Sequence, residues 1–250
     1  MPSFRNGDIE IAYLDEGTGE PVVLVHGFAS NKEVNWVQPS WVSTLTRAGR
    51  RAIALDHRGH GASSKLYDPG DYGITKMAED VIALMDHLKI ERADVLGYSM
   101  GGRVTGRLAA DYPERVRSAV IAGIGIRLCE SSLNSEEIAQ ALEAPDVSAI
   151  KDKTALAFRL FAQQTGSDRK ALAANMRNSD RTISRQAAAE IRVPVLVATG
   201  TKDDIAGSGA ELADLIPGAQ LLDIPGRDHM LAVGDRAFKD GVLEFLSRRP

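Results

Sequence analysis

Gly97-Tyr98-Ser99-Met100-Gly101 stands between a short apolar run over 93–96 and a stretch of helical period over 103–112. A Gly-x-Ser-x-Gly pattern in that context predicts a sharp strand-to-helix turn. Such a turn pushes its central side chain into a strained, exposed position, and its glycines sit where any other side chain would collide. Ser99 is thereby placed at the carboxyl edge of a sheet. The helix that follows aims unpaired backbone N–H groups at the same point, where developing negative charge is stabilised. The same five residues would also serve as a plain tight turn with Ser99 capping a helix, so the residues elsewhere in the chain must decide.

Working outward, runs rich in Val, Ile and Leu recur at 10–13, 22–25, 52–55, 93–96, 118–122, 195–198 and 220–224. Between them lie longer segments of helical period, the clearest being 75–88, with Met77, Val81, Leu84, Met85 and Leu88 on one face. Buried parallel strands joined by crossover helices read this way, which predicts an α/β fold: a mostly parallel, doubly wound sheet flanked by helices. The alternation stops after Gly123. Residues 125–190 offer helices and no strand before the signal resumes at Val193, which predicts a helical cap insertion. Asn134 with Glu137 three residues later opens its first helix and Pro145 closes that region. The expected organisation is core over 1–124, cap over 125–190 and core again over 191–250, with no internal repeat or linker.

A length of 250 residues accommodates one large α/β domain, and a net charge of −4 with 26% charged residues gives no electrostatic reason to expect nucleic acid. Cys129 is the single cysteine, so neither an intramolecular disulfide nor a cysteine-based metal cluster is expected, and a reducing compartment fits. Arg5, Asn6, Gly7 and Asp8 interrupt the place where a secretory signal needs an apolar run, and 22–25 and 195–198 are too short to cross a bilayer. A cytoplasmic protein with a small-molecule partner, no nucleic acid, no membrane span, no cofactor and no metal is expected.

A serine hydroxyl is a weak nucleophile at neutral pH and needs a base in hydrogen-bond reach, with a third group to fix the tautomer of that base. Five histidines are available. His87 lies late in the amphipathic helix and reads as a helix-end or surface residue. His57 and His60 lie in a post-strand loop, where local hydrogen bonding is expected, and His26 reads as a hydrogen-bonded turn residue. His229, in Gly226-Arg227-Asp228-His229 just after the last strand, is the expected base, since this architecture runs Ser, acid, His along the chain. The acid then falls in Gly200-Thr201-Lys202-Asp203-Asp204, where Asp203 and Asp204 compete. For the oxyanion, the expected donors are the N–H of Met100 after the nucleophile and that of Phe28 in the loop leaving the strand over 22–25.

Together these segments resemble the α/β-hydrolase fold family over essentially the whole chain outside 125–190. His26-Gly27-Phe28 is similar to the oxyanion segment of the family, Asp56-His57-Arg58-Gly59-His60-Gly61-Ala62-Ser63 to its Asp-x-Arg-Gly-x-Gly-x-Ser loop, and Gly97 to Gly101 to its nucleophile elbow. Gly200 to Asp203 matches its Gly-x-x-Asp acid loop, and on that spacing the resemblance favours Asp203 over Asp204. The loop from Asp56 is structural in the family. The histidine segment departs from the commoner Gly-x-Gly-His. The resemblance implies a serine hydrolase cleaving a carboxylic ester through an acyl-enzyme, with the triad Ser99, Asp203 and His229. Cofactor-free perhydrolases or haloperoxidases, lactonases and carbon–carbon bond hydrolases keep the same serine and stand as alternatives, whereas dehalogenases and epoxide hydrolases carry aspartate at the elbow. A hydrolase-fold ligand receptor is the non-enzyme alternative. Phe158, Phe161 and Met176 are the larger apolar side chains of the cap and its candidate substrate contacts, while Arg127, Arg159 and Lys170 are expected to meet solvent. A homodimer through the cap is a generic possibility.

Overall fold

The computed structural model describes residues 2–130 and 134–249. Eight strands form one sheet: β1 (Ser3–Asn6), β2 (Ile9–Glu16), β3 (Glu20–Val25), β4 (Arg50–Leu55), β5 (Ala93–Tyr98), β6 (Val116–Ala122), β7 (Val195–Gly200) and β8 (Gln220–Ile224). Their spatial order is β1-β2-β4-β3-β5-β6-β7-β8, antiparallel at the β1–β2 and β2–β4 pairs and parallel from β4 through β8. The doubly wound α/β fold expected from the strand spacing is therefore present. From β3 the chain moves outward to β4 and then returns to place β5 on the other side of β3, so a crevice opens at the carboxyl ends of β3 and β5, where ligands of such sheets bind.

Strand side chains alternate between the two faces. Val22, Leu24, Ala52 and Ala54 pack on Trp41 and Leu45 of α1 (Trp41–Arg47) and on Phe238, Val242 and Phe245 of α9 (Arg236–Arg248). Val23, Val25, Ile53 and Leu55 face the opposite core, shared with α2 (Ile74–His87), α3 (Met100–Asp111) and α8 (Gly209–Leu215). The described part of 125–190 contains α4 (Ser135–Glu143), α5 (Lys153–Gln164), α6 (Arg169–Arg177) and α7 (Arg185–Ala189), and no strand. The Asn134 side chain accepts the Glu137 N–H at 3.3 Å, and α4 ends two residues before Pro145. No helix of the described residues is long and apolar enough to cross a membrane.

β2, β3, β4, β5 and β7 extend beyond the expected runs by one to three residues at an end, and two further differences have a local cause. β1 has no apolar run and buries only Phe4; it exists because Gly7 (φ +60°) turns the chain back and pairs Asn6 with Ile9, while the Asn6 amide donates to Asp80 at 2.8 Å. β6 begins at Val116 rather than at Ser118, because Arg115 and Arg117 mask a strand start whose only apolar signal is Val116.

Candidate active site

β5 runs into α3 through Ser99, whose backbone takes φ 57° and ψ −113°, a region that side-chain-bearing residues rarely occupy. A Cβ on Gly97 would collide with the Gly101 carbonyl and the Thr105 hydroxyl, and one on Gly101 would collide with the Val25 carbonyl. Both glycines are thus imposed by the close approach of α3 to β3 and β5. The Ser99 N–H donates to the Ala122 carbonyl at 2.8 Å, which ties the turn to β6 and leaves the side chain partly exposed.

The acid and the imidazole arrive from the far side of the sheet. Beyond β7, the Asp203 carboxylate accepts the N–H groups of Ile205 and Ala206 on Oδ1, each at 2.9 Å, and its Oδ2 lies 2.8 Å from Nδ1 of His229. Nε2 of that imidazole lies 2.9 Å from the Ser99 hydroxyl oxygen. Facing a carboxylate, Nδ1 carries the proton and Nε2 is left to accept from Ser99. Asp204 is exposed and makes no such contact. The unusual Arg227-Asp228 in the histidine loop has a local use. Asp228 accepts the N–H groups of Met230 and Leu231 at 3.0 and 2.9 Å, and Arg227 pairs with Asp235 at 2.6 Å.

His26-Gly27-Phe28 leaves β3 beside the elbow, close enough that a Cβ on Gly27 would sit 3.4 Å from Cβ of Ser99. Nδ1 of His26 donates to the Gly27 carbonyl at 2.7 Å and its Nε2 accepts the His57 N–H at 3.0 Å, while Asn35 accepts the Gly27 N–H at 3.1 Å. The N–H groups of Phe28 and Met100 find no acceptor among the described residues. Two free backbone donors therefore flank the nucleophile candidate. Nothing in the sequence over 31–38 marks Asn35 as their organiser, because its contact depends on where the chain returns after Phe28.

The profile of the alpha/beta hydrolase fold family matches residues 20–146, about half of the chain. The chain belongs to the alpha/beta hydrolase fold family. It is 32% identical over 85% of its length to the dihydrolipoyllysine-residue acetyltransferase component of the acetoin cleaving system of Pseudomonas putida, of which the match spans only 59%. It is 31% identical to a putative non-heme chloroperoxidase of Synechocystis sp., over 91% of each chain. Among solved structures, the enol-lactonase of Burkholderia xenovorans LB400 superposes with a TM-score of 0.81 at 25% identity, covering 99% of this chain and 100% of that one.

In this hydrolase fold the loop from Asp56 has structural work. Its carboxylate accepts from the backbone and ammonium of Lys32 at 2.8 and 2.6 Å and from the Ala62 N–H at 2.8 Å, and Ser63 bridges the Asp56 carbonyl to the Ala12 N–H of β2. The expectation for His57 is corrected: neither ring nitrogen has a partner among the described residues, and the imidazole packs among rings, 4.7 Å from His26 and 6.3 Å from His60. His60 does bond locally, to the Arg58 carbonyl at 3.0 Å.

Burial pushes all three of these imidazoles below the ordinary histidine range, His60 to about 3, with the neighbouring His26 adding to the effect on His57 and His60. A neutral buried histidine takes up its proton only on unfolding, so below about pH 6.5 the unfolded chain binds more protons and stability falls as pH falls toward 3. For His60, held near 3, the slope approaches about 1.4 kcal/mol per pH unit within that window, and His26 and His57 act in the same direction. Calorimetric melting should therefore show Tm dropping steadily from pH 7 to pH 4.5, and the drop should be shallower for His60→Phe. A Tm independent of pH over that range would contradict the burial of neutral imidazoles.

The helical segment of this hydrolase lies against the elbow and the oxyanion loop. The Phe158 ring meets that of Phe28 at 5.6 Å, Phe161 packs on the core, Met176 is buried, and Asn175 donates weakly to the Met100 sulfur at 3.8 Å. Of the three cap cations expected in solvent, only Lys170 is exposed. Arg127 donates to the carbonyls of Asp204 and Ile205 at 2.7 Å each, tying the segment to the acid loop, and Arg159 is 3% exposed, on the buried face of α5 with Ala155 and Ala162. A concavity of about 930 Å³ lies over Tyr67, Leu142, Glu143 and Arg169 and has none of Ser99, His229 or Phe28 in its wall.

Proposed function

We propose that the chain is a serine hydrolase that cleaves a carboxylic ester through an acyl-enzyme, with Ser99 as nucleophile, His229 as general base and Asp203 as the group that holds the imidazole in its working tautomer. The observation that carries this reading is the unbroken line from the Asp203 carboxylate through His229 to the Ser99 hydroxyl, at 2.8 and 2.9 Å. As Ser99 attacks the ester carbonyl, His229 takes its proton through Nε2, and the negative charge passing onto the carbonyl oxygen meets the free N–H groups of Phe28 and Met100. His229 then gives that proton to the departing alcohol. Water, deprotonated by the same nitrogen, cleaves the acyl-serine and restores the hydroxyl. Residues 125–190 act as a cap, with Phe158 beside the oxyanion loop as its nearest apolar wall.

A specific observation favours a second outcome of the same acyl-enzyme. The likeness to the chloroperoxidase extends over 91% of both chains, and hydrogen peroxide replacing water as the acceptor would release a peracid and regenerate the Ser99 hydroxyl. A lactone, being a cyclic ester, fits the first outcome without change.

The test is labelling with a serine-directed fluorophosphonate, followed by a short acyl series of nitrophenyl esters with and without peroxide. Stoichiometric labelling at Ser99 with turnover is the expected result. Labelling without turnover of any ester would replace the enzyme reading by that of a ligand receptor, and absence of labelling would remove the nucleophile.

A further inference from the structure

Tyr98 occupies the first variable position of the Gly-x-Ser-x-Gly turn, next to Ser99 in the chain, yet its side chain belongs to the opposite rim of the site. Its hydroxyl donates to the backbone carbonyl of His229 at 2.6 Å. Its ring lies 5.5 Å from the His229 imidazole and 6.3 Å from Phe238 of α9, within the core on that face of the sheet. Space for the ring is made by Gly123, whose φ of +61° suits glycine and whose missing Cβ would stand 2.7 Å from the phenol carbon. The other ties near the base lie on its neighbours rather than on its own carbonyl: the acid loop holds the loop start, with Lys202 donating to the Arg227 carbonyl at 3.0 Å and Thr201 accepting the Gly226 N–H at 2.8 Å, while Asp228 accepts from Met230 and Leu231 and its carbonyl accepts from Ala232.

From this arrangement we infer that Tyr98 is a positioning residue for the reaction, a clamp from the nucleophile turn to the main chain of the base that holds the imidazole of His229 in line with the Ser99 hydroxyl. The inference rests on the proposed triad. Its physical basis is local: residues 226–228 are exposed but held through Thr201, Lys202 and Ala232, whereas the peptide of the base itself is met by Tyr98, and freedom there on the scale of about an ångström is expensive in a proton-transfer step. The bond from Tyr98 crosses 131 residues of chain to remove that freedom, using a group covalently attached to the nucleophile itself. The phenol also keeps its proton: burial, and then the charge of Asp203, hold its pKa well above the ordinary tyrosine value, so it remains a donor wherever the protein is folded.

The test is Tyr98→Phe, which keeps the ring and removes only the hydroxyl. Turnover of a nitrophenyl ester is expected to fall about tenfold with KM unchanged, and the rate of fluorophosphonate labelling at Ser99 to fall in parallel, because the ground-state pocket is intact while the base is misaligned. Val242→Ala on α9, in the same packing layer, serves as the control for stability. It should lower Tm at least as much as Tyr98→Phe and leave both kcat and the labelling rate within twofold of wild type. Wild-type kcat and labelling in Tyr98→Phe would overturn the inference, as would an equal loss of kcat in the two variants, which would reduce the effect to stability. Failure of the triad reading is a separate result, visible as ester turnover that survives removal of the Ser99 hydroxyl in a protein with Tyr98 intact.

Discussion

Ser99→Ala is expected to lower ester turnover by about 10⁴-fold or more and to abolish fluorophosphonate labelling, with the melting temperature close to that of wild type. The size follows from what remains. His229 would still face the substrate and the N–H groups of Phe28 and Met100 would still stabilise an oxyanion, but the attacking oxygen would have to come from an unpositioned water. Stability is spared because the strained φ of 57° costs alanine about as much as serine, and the hydroxyl contributes no bond beyond that to His229. Replacement by glycine would mix a chemical loss with relief of backbone strain, which makes alanine the cleaner variant. Near-normal hydrolysis of the ester by Ser99→Ala, measured with purified protein, would end the serine-hydrolase reading.

Asp203→Asn should cost about 10⁴-fold in kcat, whereas Asp204→Asn should remain within about twofold. Orientation makes the first of these severe. Oδ1 of Asp203 accepts two backbone N–H groups, from Ile205 and Ala206, so an asparagine there must keep its carbonyl oxygen at that position and turn its NH₂ toward His229. Nδ1 would then be forced to accept, the imidazole proton would move to Nε2, and the nitrogen facing Ser99 would have no lone pair with which to take the serine proton. The predicted signature is a fall in kcat with KM little changed and with fluorophosphonate reactivity lost in proportion. Asp204 is exposed and only its carbonyl is engaged, by Arg127, so amidation of its side chain leaves the line untouched. Interchanged effects of the two substitutions would transfer the role to Asp204 and break the geometric argument.

Much of this was visible before any coordinates. The strand at 195–198, the helix at 75–88 and the turn at Ser99 announce themselves because buried parallel strands, amphipathic helices and elbow glycines each leave a periodic or steric mark on the local sequence. β1 left none, since a single buried Phe4 makes no alternation, and His57 misled because loop histidines usually bond locally whereas this one is enclosed by two other rings. Arg159 misled for a related reason. Its charge marks it for the surface, yet it shares with Ala155 and Ala162 the face of α5 that is buried in the tertiary structure.

Chain order alone thus determined seven of the eight strands, the turn that presents Ser99, and the two short segments proposed to supply an acid and a base, since those depend on local sterics and on which residue types carry the chemistry. Tertiary structure decided which of two adjacent aspartates turns inward, which loop amides stay free beside the nucleophile, and that Tyr98 reaches the carbonyl of His229. These are contacts between segments more than a hundred residues apart or rotations of single side chains. No spacing rule records them, because they exist only once the strands have closed the distance.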